Sequence, residues 1–498
     1  MTTIAAVTWN MANRKPRKED ILSLIQKGNL SDADIIIVAS QEEACSKNHP
    51  LADGLHIRLG KDFKPISKQR HTTFTTAPGQ VSLTLLAHKK SSCQVVNKDS
   101  FFHRNGKPKP FPNKGGHTLR FTVDGKIIGV AGVHLESKCD GPRFKETKKL
   151  VSRVYSSEDD VIPVTSYKDL EGKSTDLSLF VGDLNYRDIH TQEENGDAGL
   201  DPFSIEPSPA RHFKLHGFTE EAPTLGWTYA GKNKSVSGNT ESSPYAIDHR
   251  RTVGGNKQQH YCKGGRLDRM LWKGDVKPET EIIEGTSTSD HKPVVSIFKL
   301  NNDNLNDFER VKRWVANSLK YLASPEVIER IKKTPDDESG KTFITKTYNY
   351  YKVVKALYLE SESLRIQSLN DEATVFKKTA DNLKTLGDDF FSTRNPDSTS
   401  LNDENIYNST RTESDNILNT ALGNKVIATH RSLLFKFVNF IARIFGGTVY
   451  TTTQRTVSNV KNMLSMGVFS PSKNPKTREN SSTPKHSDSV INTTPSAA

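Results

Sequence analysis

The sequence predicts a layered α/β domain followed by a helical region, and three observations carry that expectation. Residues 1 to 300 read as short apolar runs parted by polar turns, the apolar period becomes helical from Asn301 onward, and the last stretch is polar and nearly free of large apolar side chains. The strand-like runs are Ile4 to Val7, Ile35 to Val38, Val81 to Ala87, Thr118 to Val123, Ile127 to Val133, Leu177 to Val181, Met270 to Trp272 and Val294 to Leu300. Several are almost continuously apolar, as strands covered on both faces should be, which argues for a central sheet between helical layers.

After Asn301 the apolar residues Phe308, Val311, Val315, Leu319 and Leu322 fall at spacings of three and four, which is helical. Ser324-Pro325-Glu326 reads as a fresh N-cap with proline in the first turn. A second helical tract runs from about Thr345 to Leu386, and the stretch from Asp388 to Asp403 reads as a loop. A third segment, from Leu433 to Phe445, carries Leu434, Phe437, Val438, Ile441 and Ile444 and closes at Gly446-Gly447. Its one-sided apolar face suits either the core stripe of a helical domain or an interfacial membrane helix. The expected organisation is a domain over 1–300, a helical targeting or partner-binding domain over 301–465, and a disordered Ser-, Thr-, Pro-, Asn- and Lys-rich tail over 466–498.

At 498 residues about two or three domains are expected at roughly 150 residues each. Lys and Arg number 70 against 58 Asp and Glu, a net charge of +12. Such a balance favours polyanionic partners: nucleic acid, an anionic membrane surface or a multiply phosphorylated small molecule. Cys45, Cys93, Cys139 and Cys262 lie far apart with no zinc spacing, which fits free thiols in a reducing, cytoplasmic setting. The N-terminal residues do not read as a signal peptide, and no apolar stretch is long enough to span a membrane.

Chemistry concentrates where strands end. Leu177-Ser178-Leu179-Phe180-Val181-Gly182-Asp183-Leu184-Asn185-Tyr186-Arg187 is an apolar run that breaks into Gly-Asp-x-Asn. A carboxylate and a carboxamide two residues apart at a strand's carboxyl edge can aim at one point, although Asp and Asn also form Asx turns there. Asn10 follows Ala5 to Trp9, Glu42 follows Ile35 to Gln41, and His134 follows Gly129 to Val133. Asp268-Arg269 precedes Met270-Leu271-Trp272, and Ser289-Asp290-His291 precedes Lys292-Pro293-Val294-Val295. Six such residues at strand termini converge in a way that single capping residues do not.

The ordered set Trp9-Asn10, Gln41-Glu42, His134-Leu135, Gly182-Asp183-Leu184-Asn185-Tyr186-Arg187, Asp268-Arg269 and Ser289-Asp290-His291 resembles the metal-dependent endonuclease/exonuclease/phosphatase superfamily. Asn113-Lys114-Gly115-Gly116, Leu184-Asn185-Tyr186-Arg187 and Asp268 to Gly274 are similar to its inositol polyphosphate 5-phosphatase branch rather than to nucleases. The resemblance covers residues 1 to about 300. It implies a four-layer α/β/β/α sandwich of DNase I-like type, and Mg²⁺ held by Glu42 with Asn10 and Asp290. A hard-oxygen set without thiolate suits that ion. By the same resemblance Asp183 orients and deprotonates the water, Asn185 and His134 hydrogen-bond the phosphate, and His291, held by Asp268, stabilises the pentacoordinate centre.

The implied substrate is a phosphoinositide or a soluble inositol polyphosphate, with Tyr186, Arg187, Tyr229 and Arg269 in its binding set and Lys114 contacting phosphate from a glycine turn. Two motifs depart from the branch. Lys263-Gly264-Gly265-Arg266-Leu267 replaces its usual Pro-Ala-Trp-Cys, and Trp227-Thr228-Tyr229-Ala230-Gly231-Lys232 lacks the usual lysine. Lys232 and Lys263, within a basic insertion over 231–263, and Arg266 just after it offer replacement cations, although charged loop residues are more often simply solvated. The alternatives are a phosphodiesterase of the same superfamily (a nuclease or a sphingomyelinase) and a catalytically dead lipid-binding module; the branch motifs speak against nucleic acid. A peripheral position on anionic membranes follows from the charge and the substrate class. The composition of the C-terminal region is similar to that of proteins which intracellular bacteria export into host cells, and fits a eukaryotic cytosolic enzyme with a targeting domain as well.

Overall fold

The computed structural model describes residues 1–444 apart from 45–48, 74–78, 104–113, 136–145, 148, 152–163, 165, 186–209, 221–244, 249–251, 254–255, 258–259, 264–266, 284–285, 287, 290, 302–304, 394–403, 431–433, 435–436, 440 and 442–443. The chain begins with β1 (Thr2–Arg14), α1 (Lys18–Lys27), β2 (Ile35–Ala44), α2 (Pro50–Leu59), β3 (Phe63–Thr73) and β4 (Gly79–His88). It continues through β5 (Cys93–His103), β6 (Lys114–Val123), β7 (Lys126–His134), α3 (Tyr167–Lys173), β8 (Leu177–Asp183), α4 (Ala210–Leu215) and β9 (Thr219–Glu220). Four short strands follow, β10 (Tyr245–Asp248), β11 (Thr252–Val253), β12 (Asn256–Lys257) and β13 (His260–Lys263), then β14 (Asp268–Lys273), β15 (Glu279–Ile282) and β16 (Val294–Leu300). The helices after them are α5 (Asp307–Leu319), α6 (Pro325–Lys333), α7 (Glu338–Ile366), α8 (Asn370–Thr393) and α9 (Glu404–Gly423).

Two six-stranded sheets form the centre, in the orders β15-β16-β1-β2-β4-β3 and β5-β6-β7-β8-β14-β9. Each mixes parallel and antiparallel pairs: β1 runs parallel to β2 and β7 parallel to β8, while β1–β16 and β8–β14 are antiparallel. Alternation along each strand sends one set of side chains between the sheets and the other outward. Ile4, Ala6, Ile35, Ile37, Leu83, Leu85, Phe121, Val130, Leu179, Val181, Met270 and Phe298 share the inter-sheet core. The outer face of the first sheet is covered by α1 and α2 through Ile21, Leu24, Leu51 and Leu55. These are the four layers that the sequence leads one to expect.

The outer face of the second sheet is covered largely from the C-terminal half. Val133, Phe180, Leu184 and Leu271 share one core with Phe213 and Phe218, with Phe308, Trp314 and Val315 of α5, and with Phe343, Tyr350, Phe376 and Phe391 beyond. Lys273 at the end of β14 is buried there too, donating to Ser318 Oγ at 3.0 Å under the Trp314 ring. The change of period at Asn301 therefore marks a change of element type and not a break in packing, and residues 1–449 form one compact unit.

The helix boundaries follow local chemistry. Asn306 caps α5 by accepting from Glu309 N at 2.8 Å, and Ser324 caps α6 with Pro325 behind it, as its motif predicts. The single tract expected from Thr345 to Leu386 is two helices: the chain reverses at Ser368, whose φ is +62°, and Leu369 N donates back to Leu364 O at 3.0 Å. The loop expected from Asp388 is helical as far as Thr393. There Asp388 accepts from Tyr351 Oη at 2.5 Å and from Ser324 N at 2.8 Å, tying α6, α7 and α8 together. In the third segment the described residues Leu434, Phe437, Val438, Ile441 and Ile444 are buried in this core, the core-stripe arrangement of the two weighed for it. No helix among the described residues is long and apolar enough to cross a membrane. The expected disordered tail lies outside the described residues.

Candidate active site

Strand register assembles the site. His134 pairs with Asp183 across β7–β8, and Asp183 pairs with Asp268 across β8–β14. Paired residues share a face, so the three side chains stand in a row on the inner face, in phase with Val130, Val181 and Met270 of the inter-sheet core. Asn10, in phase with Ile4 and Ala6 of the opposing sheet, reaches across and donates from Nδ2 to Asp183 Oδ2 at 2.9 Å. All four are at most 4% exposed. The apolar sandwich thus ends in a buried polar cluster.

His291 joins from the loop before β16. Its Nδ1 lies 2.6 Å from Asp268 Oδ2 and its carbonyl accepts from Trp9 Nε1 at 2.9 Å. The preceding Ser289 donates to Asn10 O at 2.6 Å, and Thr288 accepts at its carbonyl from Arg14 Nη1 at 2.9 Å, so the loop is fastened to β1. A carboxylate only accepts, so Nδ1 carries the proton of this pair. Asp183, Asp268 and His291 each offer one ligand atom, all within 4.8 Å of one another.

Lys114 opens β6 and sits 8% exposed with Nζ 2.5 Å from His134 Nε2. An ammonium has only donors, so Nε2 accepts and the His134 proton is on Nδ1. Burial above all, and then Lys114, lowers the His134 pKa to about 3 against the pull of Asp183. Burial opposes ionisation of Asp183, but His134, His291, Lys114 and the Asn10 hydrogen bond outweigh it and hold the carboxyl below the usual range. Within the cluster the Asp183 carboxylate is braced by imidazole, amide and ammonium.

Glu42 reaches this cluster through a β-bulge. Ser40 pairs with Ser82, but the next β2–β4 pair is Glu43 with Gln80, so β2 carries one extra residue. Glu42 takes up the left-handed conformation (φ +46°), and Ala12 and Asn13 on neighbouring β1 do the same at +47° and +62°. Such backbone costs about 1–3 kcal/mol per residue and persists where surrounding packing enforces it. The result is a Glu42 carboxylate 38% exposed, with Oε1 3.8 Å from His134 Nε2. Re-aiming a side chain is a recurring use of bulges.

Other expected members stand as follows. Asn185 is 4% exposed beside the row; its Nδ2 donates to Leu135 O at 2.8 Å and its N–H to Asp183 Oδ1 at 2.9 Å. The Asx turn and the site thus coexist in the same three residues. Lys114 does not lie in a glycine turn: Gly115, at φ +136°, and Gly116 are strand residues, where a Cβ would strike the backbones of Phe101 and Gly132. Those glycines allow strands to approach, and Lys114 stands at the strand end beside His134. Arg269 is buried but alternates to the face opposite Asp268, pairing with Gly182, and does not join the row. Asp290, Tyr186, Arg187, Tyr229, Lys232 and Arg266 lie outside the described residues, and nothing is described of the Lys263 side chain. Sequence reasoning passed over Glu43, fully buried under α2, and the Arg14–Thr288 tether; an acidic pair at a strand end was the available signal for the first.

Residues 7–200 match the family model described as Endonuclease/Exonuclease/phosphatase family 2. Over 385 residues, 72% of this chain, it is 23% identical to the Type II inositol 1,4,5-trisphosphate 5-phosphatase of Mus musculus. Over 147 residues, 27% of this chain, it is 34% identical to the Type I inositol polyphosphate 5-phosphatase 8 of Arabidopsis thaliana. The matches span 35% and 27% of those relatives' own lengths. Among solved structures, the inositol polyphosphate 5-phosphatase domain of SPsynaptojanin, in complex with inositol (1,4)-bisphosphate and calcium ion, is similar with a TM-score of 0.36 and 16% identity, covering 60% of this chain and 83% of that one. Likeness of that degree adds nothing to what the strands themselves show.

Proposed function

From an endonuclease/exonuclease/phosphatase-type domain in residues 7–200, we propose that this chain is a Mg²⁺-dependent phosphomonoesterase that removes the 5-phosphate of phosphoinositides or soluble inositol polyphosphates. The observation that carries the reading is the buried row His134–Asp183–Asp268 with Asn10 and His291 closing on it. Relatives named as inositol polyphosphate 5-phosphatases support the substrate class.

The donor set fits a hard divalent cation: Glu42 offers a part-exposed carboxylate beside the ionised Asp183, and both are oxygen donors of the kind Mg²⁺ takes. Glu42, with Asn10 and Asp290, would hold it, and when bound it neutralises charge on the phosphoryl oxygens. The protein's own groups do the rest. Asp183, ionised and oriented by Asn10, accepts a proton from the attacking water. Lys114 and Asn185 flank the same point and hydrogen-bond phosphoryl oxygens, with His134 positioned between Lys114 and Asp183. His291 keeps Nδ1–H against Asp268; when Nε2 is also protonated, the imidazolium that Asp268 supports donates to developing negative charge.

The test is phosphate release from a panel of soluble and lipid inositol phosphates with Mg²⁺ and with chelator, alongside Asp183→Ala. Release specific to 5-phosphates, abolished by chelation and by the substitution, is expected. Plasmid nicking without phosphate release would favour the phosphodiesterase reading instead. Lipid substrates and the net charge of +12 lead us to expect binding of the full chain to anionic vesicles, measured by flotation.

A further inference from the structure

Beneath the bulge that presents Glu42 lies a second acid that touches nothing in the site. Glu43 is fully buried on the outer face of the first sheet. Its Oε1 accepts from Leu51 N, in the first turn of α2, at 2.5 Å, and its Oε2 accepts from Ser40 Oγ at 2.9 Å and Ser82 Oγ at 3.4 Å. Ser40 and Ser82 are themselves 2.6 Å apart and register partners across β2–β4. One carboxylate thus ties together β2, β4 and the start of α2, immediately after the residue that carries the left-handed turn.

The other side of the bulge is closed as tightly. At Gly79, the residue paired with Ala44, a Cβ would stand 2.6 Å from Asn13 Oδ1 and 3.2 Å from Glu42 Cα. Glu42 is therefore held between β4 packing on one side and the anchored Glu43 on the other. A left-handed conformation at a glutamate relaxes unless its neighbours over-determine it; Glu43, fully buried, anchors the residue after it to β4 and α2, and Gln41, fully buried against Thr8, anchors the residue before it to β1.

We propose that Glu43 is a positioning residue: by fastening β2 to α2 and β4 it fixes the Glu42 carboxylate toward Asp183 and His134, and so sets the affinity of this end of the sandwich for a divalent cation. The proposal rests on the metal-dependent reading above. Partners that orient ligand side chains typically change metal affinity by about 10–100-fold when lost.

Titration calorimetry of the full-length protein with MgCl₂ alone, without substrate, reads the affinity directly. Glu43→Ala is expected to weaken Mg²⁺ binding by about tenfold or more, and to raise the Mg²⁺ concentration needed for half-maximal phosphate release while leaving the maximal rate at saturating Mg²⁺ near that of the parent. Glu43→Gln is expected to stay within about threefold, because its carbonyl still accepts from Leu51 N and its amide can donate to the serine hydroxyls. If Glu43→Ala does not fold, Ser82→Ala removes one tie from the outside and should weaken binding by a smaller factor in the same direction. A folded Glu43→Ala protein with parental Mg²⁺ affinity overturns the proposal, as does parental affinity in Ser82→Ala where Glu43→Ala is unfolded. Parent protein that binds Mg²⁺ and responds to these substitutions but releases no phosphate leaves the positioning role standing and removes the phosphatase reading.

Discussion

The two faces of the second sheet are made by alternate residues of the same strands and behave as different materials. On the inner face at one end stand His134, Asp183 and Asp268, buried and polar; on the outer face of the same strands stand Val133, Leu184 and Phe180, sealed by Phe213 and the helices that begin at α5. Alternation lets a single strand hold chemistry on one side and adhesive packing on the other. Stability should therefore be lost from the outer face with chemistry intact, and the reverse should hold on the inner face.

Asp183→Ala tests the inner side most severely. We expect phosphate release to fall at least about 10³-fold, with the thermal midpoint falling only slightly, since the partners that hold the Asp183 carboxyl below the usual range lose its charge. A large fall in midpoint would erase the distinction between the faces. Trp314→Ala is the outer counterpart. Opening a cavity of that size should cost about 3–5 kcal/mol in urea denaturation, with the rate per folded molecule unaltered.

A third expectation concerns pH. His117, inside the sandwich near the same end, bonds to Ser100 Oγ at 2.7 Å and lies 3.2 Å from Val81 O, and burial lowers its pKa from 6.5 to about 4. The folded state thus binds fewer protons than the unfolded chain between those values. Its contribution is whole above pH 6.5 and is lost as pH falls toward 4, by about 3 kcal/mol in all. Denaturation midpoints measured from pH 7 to 4 should fall, and His117→Gln should flatten the fall. The smallest effect is at the cap of α5. Asn306→Ala should cost about 1 kcal/mol, with no change in Mg²⁺ affinity.

Much of this was legible in sequence because strand ends advertise themselves. Every apolar run named from residues alone is a strand, whereas β3 and β5, the polar edges of their sheets (FKPISKQRHTT and CQVVNKDSFFH), carry too little periodicity to stand out. The row His134–Asp183–Asp268 could be anticipated because each residue closes or opens such a run. The bulge at Glu42 could not, since register is a property of two strands at once. Nor could the reversal at Ser368, which has neither glycine nor proline to mark it, or the partner of the helical stripes, because periodicity tells which face is apolar and not what covers it.

The shared core also has a consequence in time. The layer over Phe180 and Phe213 is encoded last, from Phe308 to Ile444, and a ribosome moving at about 5–20 residues per second needs on the order of ten seconds to deliver it. During that interval the emerging sandwich shows water an uncovered apolar sheet face. Nascent chains halted near residue 300 should therefore be chaperone clients and collapse on release, even though every strand of the sandwich has already been made.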